Sequence, residues 1–148
     1  MKKVISVLLV IMWMIFIFVM SSSSSTQSNN QSGFFVGIIV NIFNISNVDM
    51  VTLVVRKMAH FAEYFILGIL LSNMFKCFDK KIYISVIMCI LYAISDEIHQ
   101  LYVPGRSGQF VDVVIDSVGG IFGYSIFMYW NYIVRRGSKD LFFERKSL

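Results

Sequence analysis

Residues 96–116 read DEIHQLYVPGRSGQFVDVVID, and this stretch decides how the rest of the chain folds. Acidic, basic and amide side chains stand here between two apolar runs, and Pro104, the only proline, is followed by Gly105 and Gly108. Proline and glycine at this spacing favour a tight turn between two helices. Charged groups inside a membrane cost roughly 2.5–3.5 kcal/mol each at a helix centre, so they usually mark a site. The stretch therefore predicts two helices joined by a turn, with a polar site at their junction.

Composition points to a membrane protein. The 148 residues are 57% hydrophobic and 15% charged, and the mean hydropathy is +0.71. Soluble domains typically have about 25% charged residues. We predict one integral membrane domain over residues 1–148. The net charge of +4 does not indicate a nucleic-acid partner, because the basic residues lie beside apolar runs and form no stripe.

The apolar runs predict an all-α bundle of four transmembrane helices, over about residues 4–20, 55–75, 82–101 and 110–134. The first run also fits a cleavable signal peptide, but its length and bulky aromatic residues favour a retained helix. The polar stretch over residues 21–33 predicts an outer loop. Residues 34–45 are too short to span the membrane, and fit an interfacial or re-entrant segment or a hydrophobic loop packed on the bundle.

Lysine and arginine positions predict the orientation. Ten of the thirteen lie near the N-terminus, in residues 76–81 or in the basic tail 135–148, and three lie near the opposite ends of the helices: Arg56, Lys57 and Arg106. This asymmetry predicts that both termini are in the cytoplasm. The beginning of the second helix, the end of the third and the beginning of the fourth would then meet in the outer half of the membrane, which predicts one shared polar site.

Helical spacing selects the candidate side chains of the second and third helices. Lys57 and His60 share one broad helical face, with Glu63 at its edge. On the third helix, adjacent acids point in different directions, so one is expected to face the bundle and the other the headgroups. We expect Glu97 with Gln100 to be the inward pair. Under the alternative interpretation these residues form no functional site. Lys57 extends its amine to the membrane interface, His60 is bonded to a carboxylate, and the third helix is polar at its end only because it leaves the membrane there.

The fourth helix has the most specific pattern. Asp112 and Asp116 lie on the same face as Gly119 and Gly123, whose G-x-x-x-G spacing allows another helix to approach closely. The two carboxylates should therefore point into the bundle. They would repel each other unless a cation, a proton or Arg106 lies between them.

Metal-binding and cysteine chemistry have weaker signals. His60, Glu63 and His99 with Asp112 or Asp116 offer zinc-type donors, but their spacing matches no standard motif, so no metal and no cofactor is predicted. The two cysteines, Cys77 and Cys89, lie in or near apolar runs and are expected to be free and buried.

Two segments carry a family resemblance: RKMAHFAEYFILGILL, residues 56–71, and DEIHQLYVPGRSGQFVDVVIDSVGG, residues 96–120. With the serines after the first helix, they resemble the VanZ-like family of bacterial membrane proteins in order, spacing and turn over nearly the whole chain. The family pattern places its polar positions at Lys57, His60, Glu63, Glu97, Gln100, Arg106, Asp112 and Asp116. The resemblance implies a multipass protein of the bacterial cell membrane. The family's namesake is associated with resistance to the glycopeptide teicoplanin.

Three functional hypotheses follow. In the first, the protein binds or acts on an envelope component, such as a lipid-linked precursor, an anionic headgroup or a glycopeptide-related target. Lys57, Gln100 and Arg106 would then bind substrate, and the candidate catalytic groups would be His60, Glu63, Glu97, Asp112 and Asp116. In the second, the same residues form a non-catalytic ion-pair network. The third, an ion or proton conduit, is disfavoured because the inner halves of the second and third helices are nearly free of polar residues. Whether the protein is an enzyme stays open at this point.

Overall fold

The structure is a computed structural model that describes the backbone of residues 1–23, 25–43, 45–106 and 108–146, and the side chains of residues 1–23, 33–34, 36–43, 45–106 and 108–136. Over these ranges it contains five α-helices and no strands: α1 (Lys2–Ser21), α2 (Ser25–Phe43), α3 (Val48–Cys77), α4 (Ile84–Gln100) and α5 (Phe110–Lys146). Three helical segments are long and apolar enough to cross a membrane: Lys2–Ser21, Val48–Cys77 and Phe110–Arg136. The predicted all-α class is confirmed.

Two segments differ from the prediction. Where a polar loop is expected over residues 21–33, α2 already begins at Ser25. Where a tail is expected over residues 135–148, α5 continues to Lys146. Neither segment contains a proline, and the serines, threonine, asparagines and glutamines of the first cost less than 1 kcal/mol each in a helix, so neither composition forces a helix to end. α2 packs against α3.

The helix ends beside the polar stretch follow from local sequence. α3 begins at Val48 because the side chain of Asn47 caps it, accepting a hydrogen bond from the backbone N–H of Met50 at 3.1 Å. α4 ends at Gln100, and the predicted turn follows it. Gly105 in that turn has φ 75°, a conformation that glycine adopts without strain. The predicted helix–turn–helix arrangement is confirmed.

α3 and α5 form the most extensive helix pair. The helices approach so closely that a Cβ added at Gly119 would lie 2.5 Å from the carbonyl oxygen of Phe61, and a Cβ at Gly123 would collide with the carbonyl of Phe65. A Cβ at Gly120 would lie 2.8 Å from Cβ of Cys89 on α4. The close approach predicted from the G-x-x-x-G spacing is confirmed.

α1 joins this pair through both apolar and polar contacts. Its Val10 and Ile17 belong to the buried core with Tyr64, Leu67 and Leu71 of α3 and Cys89 and Ala93 of α4. The indole N–H of Trp13 donates a hydrogen bond to the carbonyl of Glu63 at 2.9 Å. The hydroxyl of Tyr92 donates to the carbonyl of Met14 at 2.7 Å. These two hydrogen bonds hold the middle of α1 against α3 and α4.

Both cysteines are free, as expected. Cys89 is buried, but Cys77 is only partly buried, because it is the last residue of α3 and the chain turns away there.

Candidate functional site

The polar side chains converge at one end of the bundle. There the C-terminal end of α1, the N-terminal half of α3, the C-terminal end of α4 and the beginning of α5 meet. This convergence follows the helix order that the sequence predicts. The contacts within it differ in part from the expected ones.

At this end of the bundle, two polar side-chain pairs link α3 to α5. Lys57 forms an ion pair with Asp112, and its Nζ also donates to Oε1 of Gln109 at 3.5 Å. One turn further along, Nδ1 of His60 lies 3.7 Å from Oδ1 of Asp116, whose side chain is fully buried. From the sequence, the partner of these aspartates could be a cation, a proton or Arg106. For Asp112 the partner is a cation, the ammonium group of Lys57.

Arg106 binds the end of α1 instead of the aspartates. Its Nε donates to the carbonyl of Ser23 at 2.9 Å, and its Nη2 to the carbonyl of Met20 at 3.5 Å. Its Nη1 donates to Oε1 of Gln100 at 3.3 Å. Burial lowers the pKa of Arg106 from its ordinary value, and Arg56 acts in the same direction. A guanidinium nevertheless stays protonated in proteins, so Arg106 ties α1 to the end of α4 as a cation.

Both acids of α4 are buried, with Asp96 3% and Glu97 5% exposed. The expectation that one of them faces the headgroups is therefore wrong. Glu97 and Gln100 are both buried, as expected of an inward pair, but Nε2 of Gln100 donates to Oδ2 of Asp96 at 3.3 Å, so Asp96 faces inward as well. Glu97 is covered by the turn that follows α4, where the backbone N–H of Gln109 donates to its Oε2 at 2.8 Å.

Asp96 is the site residue that reasoning from the sequence missed. The available signal was its i,i+4 spacing from Gln100, which places both side chains on one helical face. The turn after α4 buries Glu97 as well, and helical periodicity contains no information about the path of that turn.

Several buried polar atoms lack a hydrogen-bond partner among the described residues: Nδ1 of His60, the hydroxyl of Tyr64, Oδ1 of Asp96, Oε1 of Glu97 and both carboxylate oxygens of Asp116. Donor atoms of His60, Asp96 and Asp116 lie within 4.8 Å of one another, a grouping of metal-ligand type. The sequence suggested a different set of metal donors: His60, Glu63 and His99 with Asp112 or Asp116.

The other members of that donor set have separate surroundings. The Glu63 carboxylate makes no hydrogen bond or ion pair with any described residue, although its backbone carbonyl accepts from Trp13. Nε2 of His99 lies 3.0 Å from the hydroxyl of Ser22, and its ring packs against Phe18. Asp112 is occupied by Lys57.

Two cavities adjoin the cluster. A polar cavity of about 270 Å³ is lined by Asp49, Thr52, Leu53, Arg56, Lys57, His60, Gln109 and Asp112. An apolar groove of about 660 Å³ runs between α4 and α5, with the polar residues Glu97 and Gln109 at one end and Ile90, Val118 and other apolar side chains along it. Gln109 lines both spaces.

Comparison with known proteins gives one result. A family model described as VanZ/LLP1 matches residues 6–134, a range that contains every site residue named above. No curated protein and no solved structure matches the chain.

Proposed function

The chain belongs to the VanZ/LLP1 family, and from that premise we propose that it is a multipass protein of the bacterial cell membrane that binds an anionic, lipid-linked component of the cell envelope. Four helices (α1, α3, α4 and α5) cross the membrane in this proposal, with both termini in the cytoplasm. The 17 residues of α4 span about 26 Å at about 1.5 Å per residue, near the lower limit for a transmembrane helix. α2 lies in the outer interface or re-enters the membrane, and the polar site faces outward.

The observation that carries the proposal is the position of Gln109 between a polar cavity and an apolar groove. An amphipathic ligand needs such a pair of adjoining spaces, one for its headgroup and one for its hydrocarbon chain. The groove falls within the range of about 300–1,000 Å³ that is usual for small-molecule sites. It also lies between two helices, where a lipid chain can enter sideways from the bilayer.

The charges of the polar cavity favour an anionic headgroup. Lys57 and Asp112 neutralise each other, and Asp49 lies at the exposed beginning of α3. Arg56 makes no hydrogen bond or ion pair with any described residue and lines the cavity, so its guanidinium is available to bind a phosphate in bidentate fashion. His60 also lines the cavity and lies 3.7 Å from Asp116. This pair is placed for proton transfer, but the proposal requires binding alone.

Binding is tested with the protein in nanodiscs by native mass spectrometry, using a polyprenyl phosphate and the corresponding polyprenol. We expect retention of the phosphate form and loss of the polyprenol. Arg56→Gln should weaken retention about tenfold, equivalent to about 1.4 kcal/mol, and Val118→Trp should block the groove. Lys80→Gln, at the opposite end of the bundle, is the matched control. Equal retention of both lipids, or no effect of Arg56→Gln, would overturn the proposal.

The proposed cellular consequence is a changed sensitivity to teicoplanin, accompanied by changes in lipid and muropeptide profiles. Arg56→Gln separates this from the second candidate function, a non-catalytic module, because Arg56 lines the polar cavity and bonds to no described residue. The hydrogen bonds of Arg106 to the end of α1 and the Lys57–Asp112 pair favour that second candidate, since both link helices. An Arg56→Gln protein that is stable and abundant but no longer changes teicoplanin sensitivity supports the binding site. A phenotype that follows membrane abundance supports the structural role.

A further inference from the structure

We propose that His60, Asp96 and Asp116 bind one divalent transition-metal ion. The three side chains come from α3, α4 and α5, and one donor atom of each lies within 4.8 Å of the others. Nδ1 of His60 and Oδ1 of Asp116 are 3.7 Å apart. The proposal does not depend on the lipid-binding function, because the metal alone is enough to test it.

Burial is the first argument for an ion. Asp116 is 0% and Asp96 3% exposed, and both oxygens of Asp116 and one of Asp96 have no hydrogen-bond partner among the described residues. Buried carboxylates are normally hydrogen-bonded, paired with a cation or bound to a metal, because removing a charge from water is costly. Two such carboxylates side by side also repel each other.

The neighbouring lysine and arginine side chains that the structure describes form no ion pair with Asp96 or Asp116. Lys57 pairs with Asp112. Arg106 is directed to the carbonyls of Ser23 and Met20 and to the amide of Gln100. A divalent ion between Asp96 and Asp116 would balance both carboxylate charges and provide a partner for their unpaired oxygens.

The surroundings of Asp96 are those of an oriented ligand. Nε2 of Gln100 donates to Oδ2 of Asp96 at 3.3 Å, and Arg106 in turn donates to Oε1 of Gln100 at 3.3 Å. This chain of hydrogen bonds fixes the carboxylate, with which the hydroxyl of Ser21 also interacts, and its other oxygen, Oδ1, accepts no hydrogen bond of normal geometry from the described residues. Such outer hydrogen bonds orient ligands in established metal sites.

The donor set narrows the class of ion. One imidazole nitrogen and two carboxylate oxygens suit zinc, manganese or iron better than magnesium or calcium, which prefer oxygen alone. Bonds of about 2.0–2.2 Å place two donors at most about 4.4 Å apart. The separation of 3.7 Å between His60 and Asp116 already satisfies this limit. The widest separation, up to 4.8 Å, exceeds this limit by about 0.4 Å, so binding requires a small side-chain rotation. Three protein ligands leave a coordination position open.

The test measures metal binding by full-length protein in detergent, stripped with a chelator and dialysed against Zn²⁺ or Mn²⁺. We expect one ion per chain by elemental analysis and a higher melting temperature with metal. His60→Gln and Asp116→Asn should each weaken binding by at least about tenfold, since even a change in a hydrogen-bond partner of a ligand has an effect of that size. His99→Gln, a change in the other histidine, should bind like wild type.

Folding is separated from binding by comparing each variant with and without metal. Asp116→Asn removes a buried charge without changing the shape, so its metal-free form should melt at or above the metal-free wild-type temperature, while the metal-induced rise disappears. The absence of Zn²⁺ and Mn²⁺ binding by the wild-type protein overturns the proposal, whatever the variants do. So does binding that survives both ligand substitutions, or that is lost in His99→Gln.

Discussion

Replacing Gly119 by alanine tests the packing that holds the polar site together. The added Cβ would lie 2.5 Å from the carbonyl oxygen of Phe61 and 3.3 Å from the backbone nitrogen of Phe65. Comfortable non-bonded contacts lie at about 3.5–4.0 Å. Because both neighbouring atoms belong to the backbone of α3, no side chain can rotate away, and α5 must move outward by roughly 1 Å to reach that distance.

Two opposing effects determine how much the free energy of unfolding changes in Gly119→Ala. Overpacking of this kind costs about 1–3 kcal/mol, whereas alanine in place of glycine gains about 1 kcal/mol of helix propensity. Gly37 in α2 supplies the matched control, since a Cβ there would meet no atom within 4 Å. The Gly37→Ala variant keeps the gain in propensity without the collision. Gly119→Ala should therefore be less stable than Gly37→Ala by about 1–3 kcal/mol.

The assay is the free energy of unfolding of both variants in mixed detergent micelles, with the folded yield from membranes as a second measure. Metal binding of Gly119→Ala reports whether movement of α5 separates Asp116 from His60. If Gly119→Ala is as stable as Gly37→Ala, the helices do not approach as closely as described, and the reasoning fails.

Three further predictions address orientation and the charged contacts. In a protein whose native cysteines are replaced, a cysteine at the exposed Tyr102 should react with an impermeant thiol reagent in whole cells, and one at Lys80 should not; the reverse labelling would place the site in the cytoplasm. Asp112→Asn should lower the free energy of unfolding by roughly 1–3 kcal/mol. A double-mutant cycle with Lys57→Met should give a coupling of roughly 0.5–3 kcal/mol, and zero coupling would mean that the pair does not stabilise the fold. Arg106→Lys should also destabilise by roughly 1–3 kcal/mol despite the retained charge, because lysine lacks the planar fork that bonds to α1; unchanged melting would contradict that tether.

Local sequence was sufficient for the long apolar helices and for the end of the bundle where the site lies, but not for the polar beginning of α2 or the continuation of α5 to Lys146. Apolar runs longer than a membrane is thick predict helices, and Pro104 with Gly105 predicts the turn. The i,i+4 spacing of Asp112 and Asp116 along the glycine face predicts that both point toward a neighbouring helix. Each of these inferences depends on residues within one or two turns of each other, where the geometry of the α-helix fixes the direction of a side chain about its axis.

The contacts between side chains on different helices could be identified only from the tertiary structure. Periodicity gives the direction of a side chain but not the axial offset or rotation of the opposing helix, so it did not distinguish Lys57 from Arg106 as the cation beside Asp112. The same limit concealed Asp96, which faces the bundle and accepts a hydrogen bond from Gln100, while the turn after α4 buries its neighbour Glu97 as well. The sequence by itself determined which residues are polar and at which end of each helix they lie. The close packing of α5 against α3 and the path of one turn decided which of them meet, because contacts between distant residues depend on how whole helices dock.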